Sequence, residues 1–543
     1  MPREKTSADE MFALLLALLL SCAALARGAH DVWAATIVYI AVLALAAGLL
    51  LVSAWSSRSR GLRVDFAPHL GVLALIWTLT FLHAVRPGEA YLRWLDWLSC
   101  MALFWISLHV LRTRRALEIF LAGMVPVLCV QAAMILYQQC VGSFFREQPA
   151  GTLVNSNIAA AFLILWLPPL AARVHATWNS AQPLRYVWRL GLAAAGIALI
   201  FVYSTWALVC VGIAAAAAAV RYRDRRNKRH TALLLTIPLL LAAAVGYKFL
   251  GTLNLGGYPL EPGENLRRLG WWWSGMRMFF DHPWLGVGLG NFPSAYLAYQ
   301  AGGQHTLFAH SFPLTLLAES GLAGVLGLSA FLLLWLRRIR CREVLEQRLP
   351  YLTGLALFAL FGLISLSVEY WVNLAAFWVF LAAAAAPAAS ALFKPRRTII
   401  IAAVLAAVCA VPYIASPFFA SRNCVYAGER LRAGDLDAAL SAYAGAAGID
   451  SLSAEARRGQ ARVLYARFEA AGDTWRLDQA VEHQEAAIQL DRLNGVLWWE
   501  LSKYLRMQGK RETLHALRNA ALLDRRNPEI RRDLEAIQGV QQE

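Results

Sequence analysis

The chain has 543 residues, 59% of them hydrophobic and only 16% charged, and its mean hydropathy of +0.48 lies well above that of soluble globular proteins. That excludes an ordinary soluble domain and predicts a polytopic, all-α membrane protein. The formal net charge of +16 raises the question of a nucleic-acid partner. Yet after Ala420 basic and acidic side chains balance at about eighteen of each, so the excess lies in short loops between apolar runs, and no nucleic acid is expected.

Taken in chain order, runs long enough to cross a bilayer fall at 11–26, 33–55, 66–84, 92–111, 116–140, 157–174, 188–203, 205–220, 231–250, 312–336, 351–368, 371–391 and 398–416, giving about 12 or 13 spans at roughly 20 residues each. The shortest pair meets near Tyr203-Ser204-Thr205, and another pair flanks Glu369. The 20 Trp and 17 Tyr are expected in interfacial belts. The first run also has the look of a cleavable leader, with Arg3 and Lys5 before an apolar core and Ala24-Leu25-Ala26 after it.

The basic loops test this layout. Arg58 to Arg63, Arg112 to Arg115, the segment with Arg173, Arg185 and Arg189, Arg221 to Arg229, Arg337 to Arg340 and Lys394 to Arg397 all fall on one side when the spans alternate. Lys and Arg accumulate on the cytoplasmic side, so the N-terminus is expected inside and the C-terminus outside. Val141 to Ser156 and Gly251 to Ala309 then become outward loops. Chemistry at that face argues against ATP or a nucleotide sugar as the direct donor.

Eight scattered cysteines form no CxxC pair and have no His at ligand spacing, so neither a disulfide framework nor a metal site is expected, and no cofactor is implied. The Gly286, Gly288, Gly290 series lacks a surrounding βαβ pattern and reads as a tight turn. Asp435-Leu436-Asp437 mimics a metal-binding pair but occupies a helix-opening turn.

After Pro417 the pattern becomes that of soluble helices, dividing the chain into a membrane domain, 1–417, and a C-terminal domain, 418–543. Three phrases echo one another: Ala446-Ala447-Gly448-Ile449-Asp450, Ala487-Ile488-Gln489-Leu490-Asp491 and Ala520-Ala521-Leu522-Leu523-Asp524. Turn signals precede them at Ala433-Gly434-Asp435, Ala471-Gly472-Asp473 and Gln508-Gly509-Lys510, and Asn527-Pro528 opens a last helix. This resembles tetratricopeptide repeats, three helix pairs and a cap that bury their faces by stacking. The wider middle spacing predicts an extended turn near Ala471 to Leu477.

At the outer rim, Arg268 is the candidate to hold a lipid-linked pyrophosphate, because its planar fork pairs with phosphate oxygens and stays charged. Arg267 takes that role if the register shifts by one. The competing reading has both arginines snorkelling to headgroups beside Trp271, Trp272 and Trp273. His310, with His305 as competitor, suits a base or a neutral hydrogen-bonding group. Glu319 lies in or near the membrane, where a carboxylate needs a partner or a cavity; it could orient His310, hold Arg268, or pair with an arginine for structure.

Together these residues resemble the O-antigen ligase and polymerase superfamily of bacterial membrane proteins. The likeness rests on Arg268 before Trp272, on Asp281-His282-Pro283-Trp284-Leu285-Gly286-Val287-Gly288 with Phe292, on Ala309-His310-Ser311, on Glu319-Ser320-Gly321-Leu322-Ala323-Gly324, and on Gly151-Thr152-Leu153-Val154-Asn155-Ser156-Asn157. The ligase-like core is placed at about 151–340, with 251–309 as its outward loop.

The resemblance implies a GT-C-like glycosyltransferase in a bacterial inner membrane that uses no metal and inverts the anomeric carbon. Its donor would be an undecaprenyl-diphosphate-linked glycan and its acceptor a glycan, lipid or protein. Arg268 would bind pyrophosphate, His310 would activate or orient the acceptor, and Asn155 and Asn157 would shape the entrance. A second arginine expected near the start of the 205–220 span is replaced at Trp206, so Arg146 or another outward cation would have to serve. Three further readings remain: a polymerase sharing the same motifs, an inactive scaffold acting through a protein partner of the repeats, and a transporter.

Overall fold

The computed structural model describes residues 8–55, 62–141, 149–221, 263–300, 306–339, 342–365, 367–385, 392–393 and 395–540. Among them are twenty α-helices and one two-residue β-pair. Seven helices are long and apolar enough to cross a membrane: Ala8–Leu25 (α1), Val32–Trp55 (α2), Arg114–Val141 (α5), Ser156–Ala176 (α6), Leu184–Phe201 (α7), Phe312–Ile339 (α11) and Arg397–Arg432 (α14). Ala67–Leu82 (α3), Pro87–Val110 (α4), Thr205–Arg221 (α8), Arg342–Gly362 (α12) and Trp371–Ala385 (α13) fill the bundle between them. The protein is therefore an all-α polytopic membrane protein. The expected span at 231–250 lies outside the described residues.

The core is built where these helices lose contact with lipid. Trp378 meets Trp97, Phe104 and Phe331 edge-on or tilted, at centroid distances of 5.1 to 6.4 Å. Trp77, Trp166, Trp188, Trp371 and Trp378 are almost wholly buried, so the tryptophans are divided between an interfacial set and a set that packs helix against helix. In hydrocarbon the association of helices depends on packing, and a large ring fills space there as well as at an interface. The first helix belongs to this core too. Phe12, Leu16, Ala17 and Leu20 are buried, and Thr152 Oγ1 donates to Ala24 O at 2.7 Å.

Ion pairs collect the basic loops at one end. Arg112 pairs with Asp9, Arg115 with Glu10, Arg173 with Glu118 and Arg338 with Asp65, at 2.8 to 3.8 Å. Leu62–Arg63 (β1) pairs antiparallel with Leu392–Phe393 (β2), tying an early loop to a late one. Each of these segments is remote from its partner in sequence.

Helix α14 starts beside that end, packs along α2 and continues without a break to Arg432, so the division expected at 417 falls inside one helix. Its last turns pair with Leu436–Ile449 (α15); Ala454–Ala471 (α16) pairs with Thr474–Leu490 (α17), and Gly495–Met507 (α18) with Glu512–Leu523 (α19), before Pro528–Val540 (α20) covers the stack. The echoed phrases close α15, α17 and α19: the amides of Asp450, Asp491 and Asp524 donate to the carbonyls of Ala446, Ala487 and Ala520 at 2.9 to 3.0 Å. The middle turn is not extended. Gly472 ends α16 in the left-handed conformation at φ 75° and Asp473 opens α17 at once, so the additional residues lengthen the two helices, to 18 and 17 residues.

The stack folds back over the end opposite the basic loops. Arg86 Nε lies 3.5 Å from Asp491 Oδ2, and Arg492 donates its backbone N–H to Val85 O at 3.4 Å.

Candidate functional site

The site end is organised by a broken helix. Gly321 interrupts α11 with φ 59° and ψ −159°, a conformation open essentially to glycine alone. The break leaves backbone groups inside the bundle that must find partners, because no water serves them there. The turn after Gly263–Asp281 (α9) supplies them. Val287 and Gly288 donate to the carbonyls of Ala318 and Glu319 at 2.9 and 3.0 Å, while Leu322 and Ala323 donate to those of Pro283 and Trp284 at 2.8 and 3.1 Å. Gly286 and Gly288 have φ of 67° and 105°, and a Cβ on Gly286 would strike the Glu319 backbone. The tight-turn reading of this glycine series therefore holds, and the turn acts as a splint for the helix.

Arg268 sits on α9, half-buried, and donates from Nη1 to Ile364 O at 2.6 Å. Its guanidinium is thus anchored to protein backbone. Arg267 is its half-buried neighbour. One turn on from Arg268, the Trp271 ring stacks on His310 at 4.6 Å and 25°. His310 immediately precedes α11 and has φ 53°, in the left-handed region that costs a non-glycine residue about 1 kcal/mol or more. Its Nδ1 is buried and makes no hydrogen bond among the described residues. Burial, and then the nearby Arg268 charge, push its pKa down to about 4, so the ring is neutral near pH 7.

The other expected residues are dispersed. Glu319 is buried, and its Oε1 accepts from Phe292 N at 3.2 Å, which ties it to the N-terminus of Phe292–Tyr299 (α10). The Arg93 charge also acts on it. Asn155 caps α6, accepting from Asn157 N at 2.8 Å, and Asn157 Oδ1 accepts from Ser204 Oγ at 3.1 Å. Trp206 is partly exposed at the start of α8. Arg146 and His305 lie outside the described residues.

A buried charge cluster nearby carries no motif. Arg93, on α4, donates to Asp96 Oδ2 at 3.1 Å, to Glu369 O at 3.1 Å and to Val368 O at 2.9 Å; Tyr39 donates to Asp96 Oδ1 at 2.7 Å. The available signal was positional: Tyr39, Arg93 and Asp96 lie inside apolar runs and Glu369 between two of them, where each needs a partner. A second unmarked residue is Asn291, fully buried, whose Oδ1 accepts from Arg86 N at 2.6 Å and whose Nδ2 donates to Leu289 O at 2.8 Å.

A family model described as O-antigen ligase matches residues 190–329, about a quarter of the chain, and the matched segment contains Arg268, His310, Glu319 and the splinted break. Over those residues the chain is similar to that family of ligase- and polymerase-type membrane enzymes. No curated protein matches the chain.

Proposed function

We propose that the protein is a metal-independent, inverting glycosyltransferase of the bacterial inner membrane. It moves a saccharide from undecaprenyl diphosphate to a glycan, lipid or protein acceptor at the extracytoplasmic face. The observation that carries this reading is that His310, 42 positions from Arg268 in the chain, stacks on Trp271 one helical turn from Arg268 and feels the Arg268 charge. A guanidinium fixed by Ile364 can meet the departing diphosphate, where negative charge develops as the anomeric bond opens. The neutral His310, with Nδ1 open, can accept a hydrogen bond from the acceptor and orient it.

The basic loops support the orientation, since they gather at the end opposite the site and would be cytoplasmic. The helix pairs, which resemble tetratricopeptide repeats, would then hang over the site from outside and present a surface for a protein partner or for the acceptor.

R268A and H310A should each lower glycan transfer in membranes of the producing cell by about a hundredfold or more at unchanged protein level. Full activity in both variants would overturn the reading. Products separated by length distinguish its two forms, since a ligase adds one block and a polymerase makes a ladder.

A further inference from the structure

The loop joining α12 to α13 receives both arginines of the site end. Arg268 binds its carbonyl at Ile364 and Arg93 binds those at Val368 and Glu369. The loop also runs beside the segment that carries His310: the Tyr370 ring lies 6.4 Å from Phe308, and a Cβ at Gly362 would touch Phe312. Two elements with no shared motif are therefore neighbours.

Glu369 is the ionisable group of that loop, and nine-tenths of it is buried. Its Oε2 accepts from Ser367 N at 2.5 Å, whereas Oε1, also buried, makes no hydrogen bond among the described residues. The hydrogen bonds of Arg93 go to the Asp96 carboxylate and to two backbone carbonyls, and so leave this carboxylate open. A buried carboxylate oxygen without a donor is costly, and a hydroxyl supplied by a bound molecule removes the cost.

On the transferase reading above, we propose that Glu369 is the proton acceptor of the reaction. Oε1 takes the proton of the acceptor's sugar hydroxyl while that oxygen bonds to the anomeric carbon. The bond from the anomeric carbon to the diphosphate breaks, and its electron pair leaves with the lipid diphosphate beside Arg268. The proton then passes from Glu369 to water. His310 keeps the orienting role.

The acid strengths agree with this division. Burial pushes the Glu369 carboxyl up to about 7, where a carboxylate is an effective base at neutral pH, whereas His310 at about 4 is a weak one. The charged and titratable groups facing Glu369 are Arg93 from α4, Glu319 from α11 and its neighbour Tyr370.

The test uses the full chain in membranes of producing cells, with undecaprenyl diphosphate as the binding probe. E369Q should lower transfer about a hundredfold or more, while binding of the probe stays within about twofold of the unaltered protein. E369D should retain part of the rate. In the unaltered protein transfer should fall as pH drops through about 7, because the base becomes protonated, and E369D should displace that limb. Near-normal transfer by E369Q alongside an inactive R268A would overturn the proton-acceptor role and leave the transferase reading standing. Normal transfer by R268A and H310A would remove that reading and this one with it. If E369Q fails to accumulate, the E369D profile decides: an acid limb that does not move overturns the proposal.

Discussion

The splinted break at 283–324 and the helix stack at 433–540 solve the same problem, unsatisfied backbone at helix ends, in opposite ways. In the stack the closure is local. Gly434, Gly472 and Gly509 adopt positive φ, and Asp435, Ser453 and Asn494 cap α15, α16 and α18 by accepting from Ala438 N, Ala456 N and Val496 N. At the break the partners are backbone groups some 30 to 40 residues away, joined only because two strands of chain lie side by side. Local closure tolerates a change at any one turn. The distant closure concentrates four hydrogen bonds and two close backbone approaches on a few glycines, beside the residues proposed for chemistry.

The largest effect should therefore come from Gly321. A Cβ there would lie 2.5 Å from the Trp284 carbonyl carbon and 2.7 Å from Pro283 O, both main-chain atoms that cannot swing aside. Its dihedral angles exclude other residues as well. G321A should cost about 3 kcal/mol or more and abolish transfer, read as loss of the folded band in detergent thermal unfolding. G472A, strained in φ but with open space around it, should cost no more than about 1 to 2 kcal/mol. Equal effects at the two glycines would erase the contrast.

What was legible in the sequence follows the same division. The all-α membrane bundle, the tight turn of the glycine series and the capping role of Asp435 all depend on residues close together in sequence, and the structure displays them. Arg268 and His310 could be paired because a resemblance linked their motifs. The lengthening of α16 and α17 was misread as a longer turn, since spacing between echoes does not say which element absorbs the additional residues. The hydrogen bond of Glu319 to Phe292 N depends on where α10 begins, which periodicity does not reveal in an eight-residue helix. The Arg93, Asp96 and Glu369 cluster carried a positional signal but no pairing, because its contacts span up to 276 positions and involve backbone carbonyls.

A middling effect is expected where the two regions touch. Arg86 reaches across to Asp491, which is almost fully buried at the turn between α17 and α18, and also donates from Nη1 to Ser294 Oγ at 3.3 Å. R86A leaves that carboxylate buried without its cation. Because Arg86 is itself a third exposed, the loss should be only about 1 to 2 kcal/mol. Burial already raises the Asp491 pKa in the folded chain. The fold thus prefers its protonated form, and the contribution is most favourable below the usual carboxylate range and is lost as pH rises through the raised value. R86A should therefore loosen the stack more at pH 8 than at pH 5, measured as faster hydrogen exchange at 491–494. Exchange independent of both pH and Arg86 would mean that the stack does not depend on this contact.

The smallest effect belongs to a single cap within the stack. Asp435 accepts from Ala438 N at 3.1 Å, and on the same turn Asp437 pairs with Arg467 of α16. D435A removes one helix cap and should cost about 1 kcal/mol, because water can reach the exposed amide that loses its partner. In the full-length protein it should leave glycan transfer unchanged and lower only the unfolding temperature of the C-terminal helices. A large loss of transfer in D435A would mean that order at the outermost helix pair is felt at Arg268 and His310. The stack would then be part of the catalytic framework, and the contrast between a locally closed region and a distantly closed one would no longer separate binding from chemistry.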